Sequence, residues 1–411
     1  MGENMDVYVG SEIGPLKRVL LHRPGRELKR ITIDNKDELL IDEIVWLERA
    51  AEDHGQFADL LRENGVEVVY FQDCLTDVVE DLSVRADLID TALSLETHDP
   101  VLVSALREMI MCMTAEDVAA TLVGGMTKRE FSQVITLATS LTYAAAGDYA
   151  FFIRPLPNLY FQRDPYFFVR NGVVLSAMRF LARQREPLYA SYIFKNHPLF
   201  KDVKIVFGED STDCHPNVIE GGDFLVLNED CVVIGISQRS TSGTIQAVGS
   251  KMARELGLRT VLAVDIPKER AYMHLDTVFT MVDRDVFMIY PDVHRSMKVW
   301  ELDYEPDGKL VKITESGDVF DSLKRHLCLD SIRAIETGGG DPIEASRDQW
   351  NDGTNTFAIA PGVVVTYEGN QVSNRGLRDS GVKVFEIRGS ELGKGRGGPR
   401  CMSMPLKRDP V

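Results

Sequence analysis

The sequence predicts an α/β fold: a unit of strand, strand, helix, strand, repeated about five times around an axis as a propeller-like ring, with one helical insertion. Three observations predict it. Five segments share one shape, a turn followed by an apolar strand: LKRVLLHRPG from Leu16, NGVVLSAMR from Asn171, EDCVVIGISQR from Glu229, RDVFMIYPDV from Arg284 and PGVVVTYEGN from Pro361. Val, Ile and aromatic residues bounded by Gly, Pro, Asn and Asp are the mark of a strand. A helix end, a glycine and a strand recur in FADLLRENGVEVVYF from Phe57, SKMARELGLRTVLAV from Ser250 and SNRGLRDSGVKVFEI from Ser373. The rhythm breaks once, from about Thr76 to Asp148.

The elements follow in order. Four of the five strands come after another strand and a turn: RDPYFFV before Asn171, GGDFLVL before Glu229, HLDTVFTMV before Arg284 and DGTNTFAIA before Pro361. These read as hairpins. Gly65, Gly257 and Gly381 stand where a helix C-terminus wants a left-handed residue. Weaker helix-to-strand versions are LFKDVKIVF from Leu199 and LKRHLCLDSIRAIE from Leu323. No unit could bury its own apolar face, so neighbouring units must pack together.

The interruption reads as helices. Leu82, Ala86, Ile89 and Leu93 fall at helical spacing, as do Leu102, Leu106, Met109 and Met113. Asp99-Pro100 suits an N-cap followed by Pro at N1, and Thr127 with Glu130 suits a capping box. The expected domains are therefore a propeller of residues 1–75 and 149–411 and an inserted helical bundle of residues 76–148. Packing, not a cofactor, is the reading of Met109, Met111 and Met113.

Composition sets the limits. The 411 residues are 44% hydrophobic and 27% charged, the proportions of an ordinary globular protein. A formal charge of −17 disfavours nucleic acid and anionic membranes as partners. No apolar run suits a spanning helix, and the acidic start MGENMDVYVGSEIG does not read as a secretory signal. The six cysteines (Cys74, Cys112, Cys214, Cys231, Cys328 and Cys401) form no C-x-x-C pair, which points to reduced thiols in a cytoplasm.

The repeats place polar residues in one slot, at the opening of each hairpin: Asp164, then Glu220 with Asp223, then His274 with Asp276, then Asp352 with Asn355. In a ring these converge at one end. Clustered inward carboxylates are costly unless they meet a cation, although Asp and Asn also serve turns and caps. His274-Leu275-Asp276 reads as strand alternation, with both polar side chains on one face. They form either a satisfied buried pair or an acid/base constellation. Cys401 follows the glycine-rich stretch Gly393 to Gly398, and is either a nucleophile or a small buried hydrophobe. The other five cysteines read as buried hydrophobes. Zn²⁺ finds no H-x-x-x-H or H-E-x-x-H spacing, so no metal is expected.

These stretches together resemble the arginine deiminase family. The matching motifs are SEIGPLKRVLLHRPG from Ser11, NLYFQRDP from Asn158, IEGGD from Ile219, GISQR from Gly235, MHLDT from Met273, NDGTN from Asn351 and RCMSMP from Arg400. The resemblance implies a five-unit pseudo-symmetric α/β propeller with a helical insertion after the first unit. It implies hydrolysis of L-arginine to L-citrulline and ammonia without cofactor or metal, by a cytoplasmic homo-oligomer, a dimer or larger. Carried over, Cys401 is the nucleophile and His274 the general acid, then base. Asp164 and Asp276 grip the guanidinium, Glu220 accepts from it and orients His274, and Asp223 supports the set. Asn158, Arg183 and Arg239 hold the α-carboxylate, Phe161 walls the guanidinium, and Arg396 is a mobile gate. Clustered carboxylates imply a Cys401 thiol that is protonated until the cationic substrate arrives.

Gln238 and Pro399-Arg400 depart from commoner family patterns, at the periphery. Other readings remain open: an amidinotransferase, a deiminase of agmatine type, or a non-catalytic arginine binder. Arg183 and Arg239 favour a substrate that carries a carboxylate.

Overall fold

The computed structural model describes residues 6–208 and 217–411; Cys214 and the first five residues of the acidic start lie outside them. Five sets of strands repeat one pairing, an antiparallel pair extended by a parallel strand. The second set is Tyr166–Val169, Gly172–Leu175 and Lys204–Phe207, with helix Arg185–Asn196 before its last strand. The third is Phe224–Val226, Cys231–Ile236 and Thr260–Asp265, around helix Ser242–Leu256. The fourth uses Phe279–Met281, Val286–Ile289 and Arg333–Glu336, with helix Val319–Leu327. The fifth uses Phe357–Ala360, Val363–Tyr367 and Lys383–Ile387, with helix Gln371–Asp379.

The first set differs. Strand Leu16–Leu21 runs parallel to Glu67–Tyr70 after helix Leu47–Glu63, but its antiparallel partner is Met404–Arg408, from the far end of the chain. The sequence offered no hairpin before Leu16 because the missing strand is C-terminal. This pairing seats Cys401, three residues before Met404, among elements from the chain's beginning.

The glycine stops hold: Gly65, Gly257 and Gly381 have φ of 79°, 76° and 86°. Between Val286–Ile289 and Val319–Leu327 a hairpin intervenes that the repeat reading did not include. Strands Lys298–Tyr304 and Leu310–Ser316 extend the third sheet to five strands. Its turn signal is Glu305-Pro306-Asp307-Gly308, with Gly308 at φ 86°.

Helices do fill the interruption: Phe71–Val79, Leu82–Ser94, Pro100–Met111, Ala115–Gly124, Lys128–Ser132 and Leu141–Ala145. Asp99 caps Val101 and Leu102, and Thr127 and Glu130 form the reciprocal capping box. The buried face of the second helix is Arg85, Leu88, Ile89, Ala92 and Leu93, so Leu82 points outward, and Ile110 rather than Met109 completes the third. Met109, Met111 and Met113 pack against a core that these helices share with the second and third sheets. Cys112 and Cys328 are exposed, contrary to the buried reading, because both terminate helices, Cys328 in the left-handed conformation. Among the described residues no helix is long and apolar enough to cross a membrane.

Candidate active site

Cys401 reaches the interior through a tight approach. A Cβ on Gly397 would fall 2.4 Å from the Phe161 ring, so only glycine lets this backbone pass beneath it. Cys401 is 3% exposed. Asn355 holds it from both sides: the Asn355 side-chain oxygen accepts from the Cys401 amide at 2.9 Å, and Nδ2 lies 3.2 Å from Sγ. Asp276 Oδ2 lies 3.5 Å from the same sulfur. Asp276 is in turn fixed by Arg400, whose Nη1 donates to Oδ2 at 2.8 Å. Arg400 also donates to Glu12 at 3.1 Å and to the Phe224 carbonyl at 2.6 Å. Burial works against the Glu12 charge, but Arg400 and Arg163 outweigh it and hold its pKa at about 2.

The histidine side is built on two turns. His274 is extended, but Leu275–Thr277 forms a 3-10 turn and the strand begins only at Phe279, so strand alternation does not align His274 with Asp276. The turn is held instead by Asp223, whose Oδ1 accepts from the Leu275 amide at 2.8 Å and whose Oδ2 accepts from the Ser237 and Ser240 hydroxyls at 2.6 Å each. A Cβ on Gly222 would sit 2.5 Å from the His274 ring, which explains a glycine beside Glu220. His274 Nε2 lies 2.9 Å from Glu220 Oε2, and Nδ1 lies 3.7 Å from Asp164 Oδ1. Arg239 donates to Glu220 at 3.2 Å and stacks on Phe180. Arg183 donates from Nη1 to Asp164 Oδ2 at 2.6 Å, while its Nε and Nη2 engage both oxygens of Glu186 at 2.8–3.1 Å.

Electrostatics assign protonation. Burial disfavours charge on His274, yet the carboxylates of Asp164, Glu220 and Asp223 outweigh it and raise its pKa to about 9. Burial would lift Glu220, but Arg239 and His274 hold it at about 2. Burial raises Asp223 to about 6. Burial, then the negative charge of Asp276, Asp164 and Asp352, push the Cys401 thiol well above its ordinary value. These directions favour a protonated Cys401 thiol and a protonated His274.

Asp164 Oδ1 and Asp276 Oδ1 are buried without a hydrogen-bond partner among the described residues. Unsatisfied buried acceptors are costly, and a planar cation with several N–H donors is a group that could satisfy such carboxylates.

The remaining predicted residues divide. Phe161 stacks on Tyr160 with ring centroids 3.9 Å apart, beneath the glycine-rich stretch. The Asn158 side-chain amide donates to the Leu39 carbonyl at 2.6 Å, and its own carbonyl faces Arg183. Asp223 has its oxygens engaged within the protein, and so supports His274 without facing the cleft. Arg396 stands apart: left-handed at φ 66°, it stacks its guanidinium 3.5 Å from the Trp350 ring centroid and borders a cleft of about 490 Å³ with Asp42 and Tyr367. Four residues went unassigned in the sequence reading. Glu186 was visible beside Arg183 in LARQRE, and Asn355 occupied the repeat slot. Arg400 was noted only as a departure, and Glu12 carries no local signal, since its partner Arg400 is 388 residues away. Among the described residues no cluster of three or more His, Cys, Asp or Glu side chains has metal-holding geometry.

Residues 37–408 match the family model described as arginine deiminase. The chain is 41% identical, over 98% of its length and 99% of the relative's, to the arginine deiminase of Staphylococcus aureus strain JH9. The chain belongs to the arginine deiminase family. More distant likenesses carry the shared α/β fold. SxtG, an amidinotransferase of saxitoxin biosynthesis from Microseira wollei, superposes with a TM-score of 0.57 at 12% identity, covering 99% of this chain and 98% of that one. AgrE, solved in a ternary complex with ornithine and NAD+, gives a TM-score of 0.54 at 14% identity, covering 96% of this chain but 40% of that longer protein. In this arginine deiminase family member the Cys401 sulfur lies against Asp276, and His274 lies against Glu220 and Asp164.

Proposed function

We propose that this chain hydrolyses L-arginine to L-citrulline and ammonia through a covalent amidino intermediate on Cys401. The observation that carries the reading is that Asp164 and Asp276 each keep a buried carboxylate oxygen without a hydrogen-bond partner among the described residues, with the Cys401 sulfur 3.5 Å from the Asp276 carboxylate. A guanidinium between them would be bound and oriented for attack. Its positive charge offsets the carboxylates that suppress thiol ionisation, so the thiolate forms when substrate is present. The sulfur adds to the guanidinium carbon, His274 gives a proton to the departing ammonia, and the amidino group stays on sulfur. His274, now neutral, takes a proton from water as it attacks that carbon, and citrulline leaves with the thiol restored. Glu220 keeps the imidazole oriented throughout. Asn158, Arg183 and Arg239 receive the α-carboxylate, Phe161 walls the guanidinium, and Arg396 gates the entrance.

The five strand sets ring an axis as a propeller in this reading, residues 1–75 and 149–411 forming the catalytic domain and residues 76–148 an inserted helical domain. The working form is a homo-oligomer. A cytoplasmic setting suits the nucleophile, which an oxidising compartment would consume. The test is citrulline and ammonia release from L-arginine with EDTA present, beside agmatine as a substrate lacking the carboxylate. Citrulline from arginine with little release from agmatine is expected. Release from agmatine alone, or none from arginine, refutes the assignment.

A further inference from the structure

Arg183 already lies on one of the carboxylates that the substrate's guanidinium is to meet. A carboxylate that grips a guanidinium in paired fashion uses both oxygens. One oxygen of Asp164 has no hydrogen-bond partner among the described residues, with His274 Nδ1 3.7 Å away, but the other accepts from Arg183 Nη1 at 2.6 Å. Arg183 is itself a guanidinium, 3% exposed, lying on the same carboxylate that the substrate's guanidinium needs. Its Nε and Nη2 are anchored separately on Glu186, three residues along, at the start of helix Arg185–Asn196. The group can therefore leave Asp164 while staying paired at its other edge. The Arg400 counterpart on Asp276 has no such freedom, being held by Glu12 and by the Phe224 carbonyl as well.

We propose that Arg183 is a built-in surrogate for the substrate guanidinium, and that the α-carboxylate of an amino-acid substrate draws it off Asp164, completing the guanidinium site only when that carboxylate is present. The proposal rests on the reading of arginine as substrate. It makes Arg183 a specificity-determining residue whose effect appears in turnover as well as binding. A guanidine without a carboxylate meets an Asp164 still half engaged, with its reacting carbon misplaced against Cys401. The coupling is between two halves of one substrate, so the halves supplied separately must show it.

The experiment cuts arginine at its Cα–Cβ bond. Propylguanidine supplies the reacting half, and its hydrolysis gives propylurea and ammonia. Glycine supplies the α-carboxylate half, and sodium chloride at equal ionic strength controls for screening. With the wild-type chain, glycine is expected to raise propylguanidine turnover about fivefold or more, saturably, with chloride inert. No change or inhibition by glycine, in a preparation that makes citrulline from arginine, overturns the coupling alone. A preparation that leaves arginine untouched overturns the substrate assignment and the coupling with it. Arg183→Met supplies the second arm: citrulline formation falls, and glycine no longer raises propylguanidine turnover above the variant's own level without glycine. Retained stimulation by glycine in Arg183→Met overturns the role given to Arg183. The glycine titration of the wild-type chain stands without the variant.

Discussion

Asp276 and Asp164 each pair one oxygen with a buried arginine, at 2.8 and 2.6 Å, yet the two arginines are held differently. Arg400, on Asp276, is bound to Glu12 across 388 residues of sequence and to the Phe224 carbonyl, so three separate elements fix it. Arg183, on Asp164, relies on Glu186 from its own short stretch and on a longer bond, 3.4 Å, to the Asn158 carbonyl. One wall of the site is thus locked by the closure of the chain's two ends, where strand Met404–Arg408 pairs with Leu16–Leu21. The other is a local arrangement that can exchange one partner for another. A buried ion pair contributes little net stability by itself, but removing one member strands the other at great cost. The wall with more partners is the wall that carries Cys401, the proposed nucleophile.

The largest expected effect removes what both walls serve. Cys401→Ser should lower citrulline formation about 10⁴-fold or more while leaving arginine binding measurable by calorimetry. Substantial remaining turnover would remove the sulfur from the centre of this picture. Next, Glu12→Ala takes the carboxylate from Arg163 and one of two from Arg400, and should cost about 3–5 kcal/mol of stability in urea denaturation. Glu186→Ala should cost less, because it removes the carboxylate from one buried arginine and not from two. Equal losses would mean that the walls are held alike.

Titration sharpens the same contrast. The folded pKa of His274, about 9, lies above its unfolded value, so its stabilisation is complete below about pH 6.5 and lost as pH rises through 9. Wild type should lose stability over this window relative to His274→Asn, and parallel profiles would contradict it. Over the same range, iodoacetamide should label Cys401 slowly at neutral pH and faster only as the solution turns alkaline. Mass spectrometry of the Cys401 peptide separates this from the exposed Cys112 and Cys328. An inflection below pH 7 without ligand would show that the carboxylates do not govern the thiol. The smallest effect lies outside both walls: Thr127→Ala breaks the capping box of helix Lys128–Ser132, for a loss of about 1 kcal/mol and unchanged turnover.

Much of this was legible before any coordinates, for identifiable reasons. Hairpins and helix stops depend on a few adjacent residues, so Gly65, Gly257 and Gly381 announced three helix ends. The capping box at Thr127 and Glu130 was equally local. Helix facing was less so: Leu82 has the right spacing but points to solvent, because what it packs against is set by neighbours from other segments. His274 and Asp276 serve one site, yet through a turn held by Asp223 and not through strand alternation.

Local pattern alone determined the repeated strand, strand, helix, strand grammar, the helical interruption and the chemical types gathered at the hairpin openings, because those follow from short-range sterics and hydrophobic spacing. Only the tertiary structure decided which carboxylate keeps a free oxygen, that the first sheet is completed by the C-terminal strand, and that Glu12 steadies the residue before Cys401. Partnerships of buried charge depend on distance in space, which separation along the chain does not record.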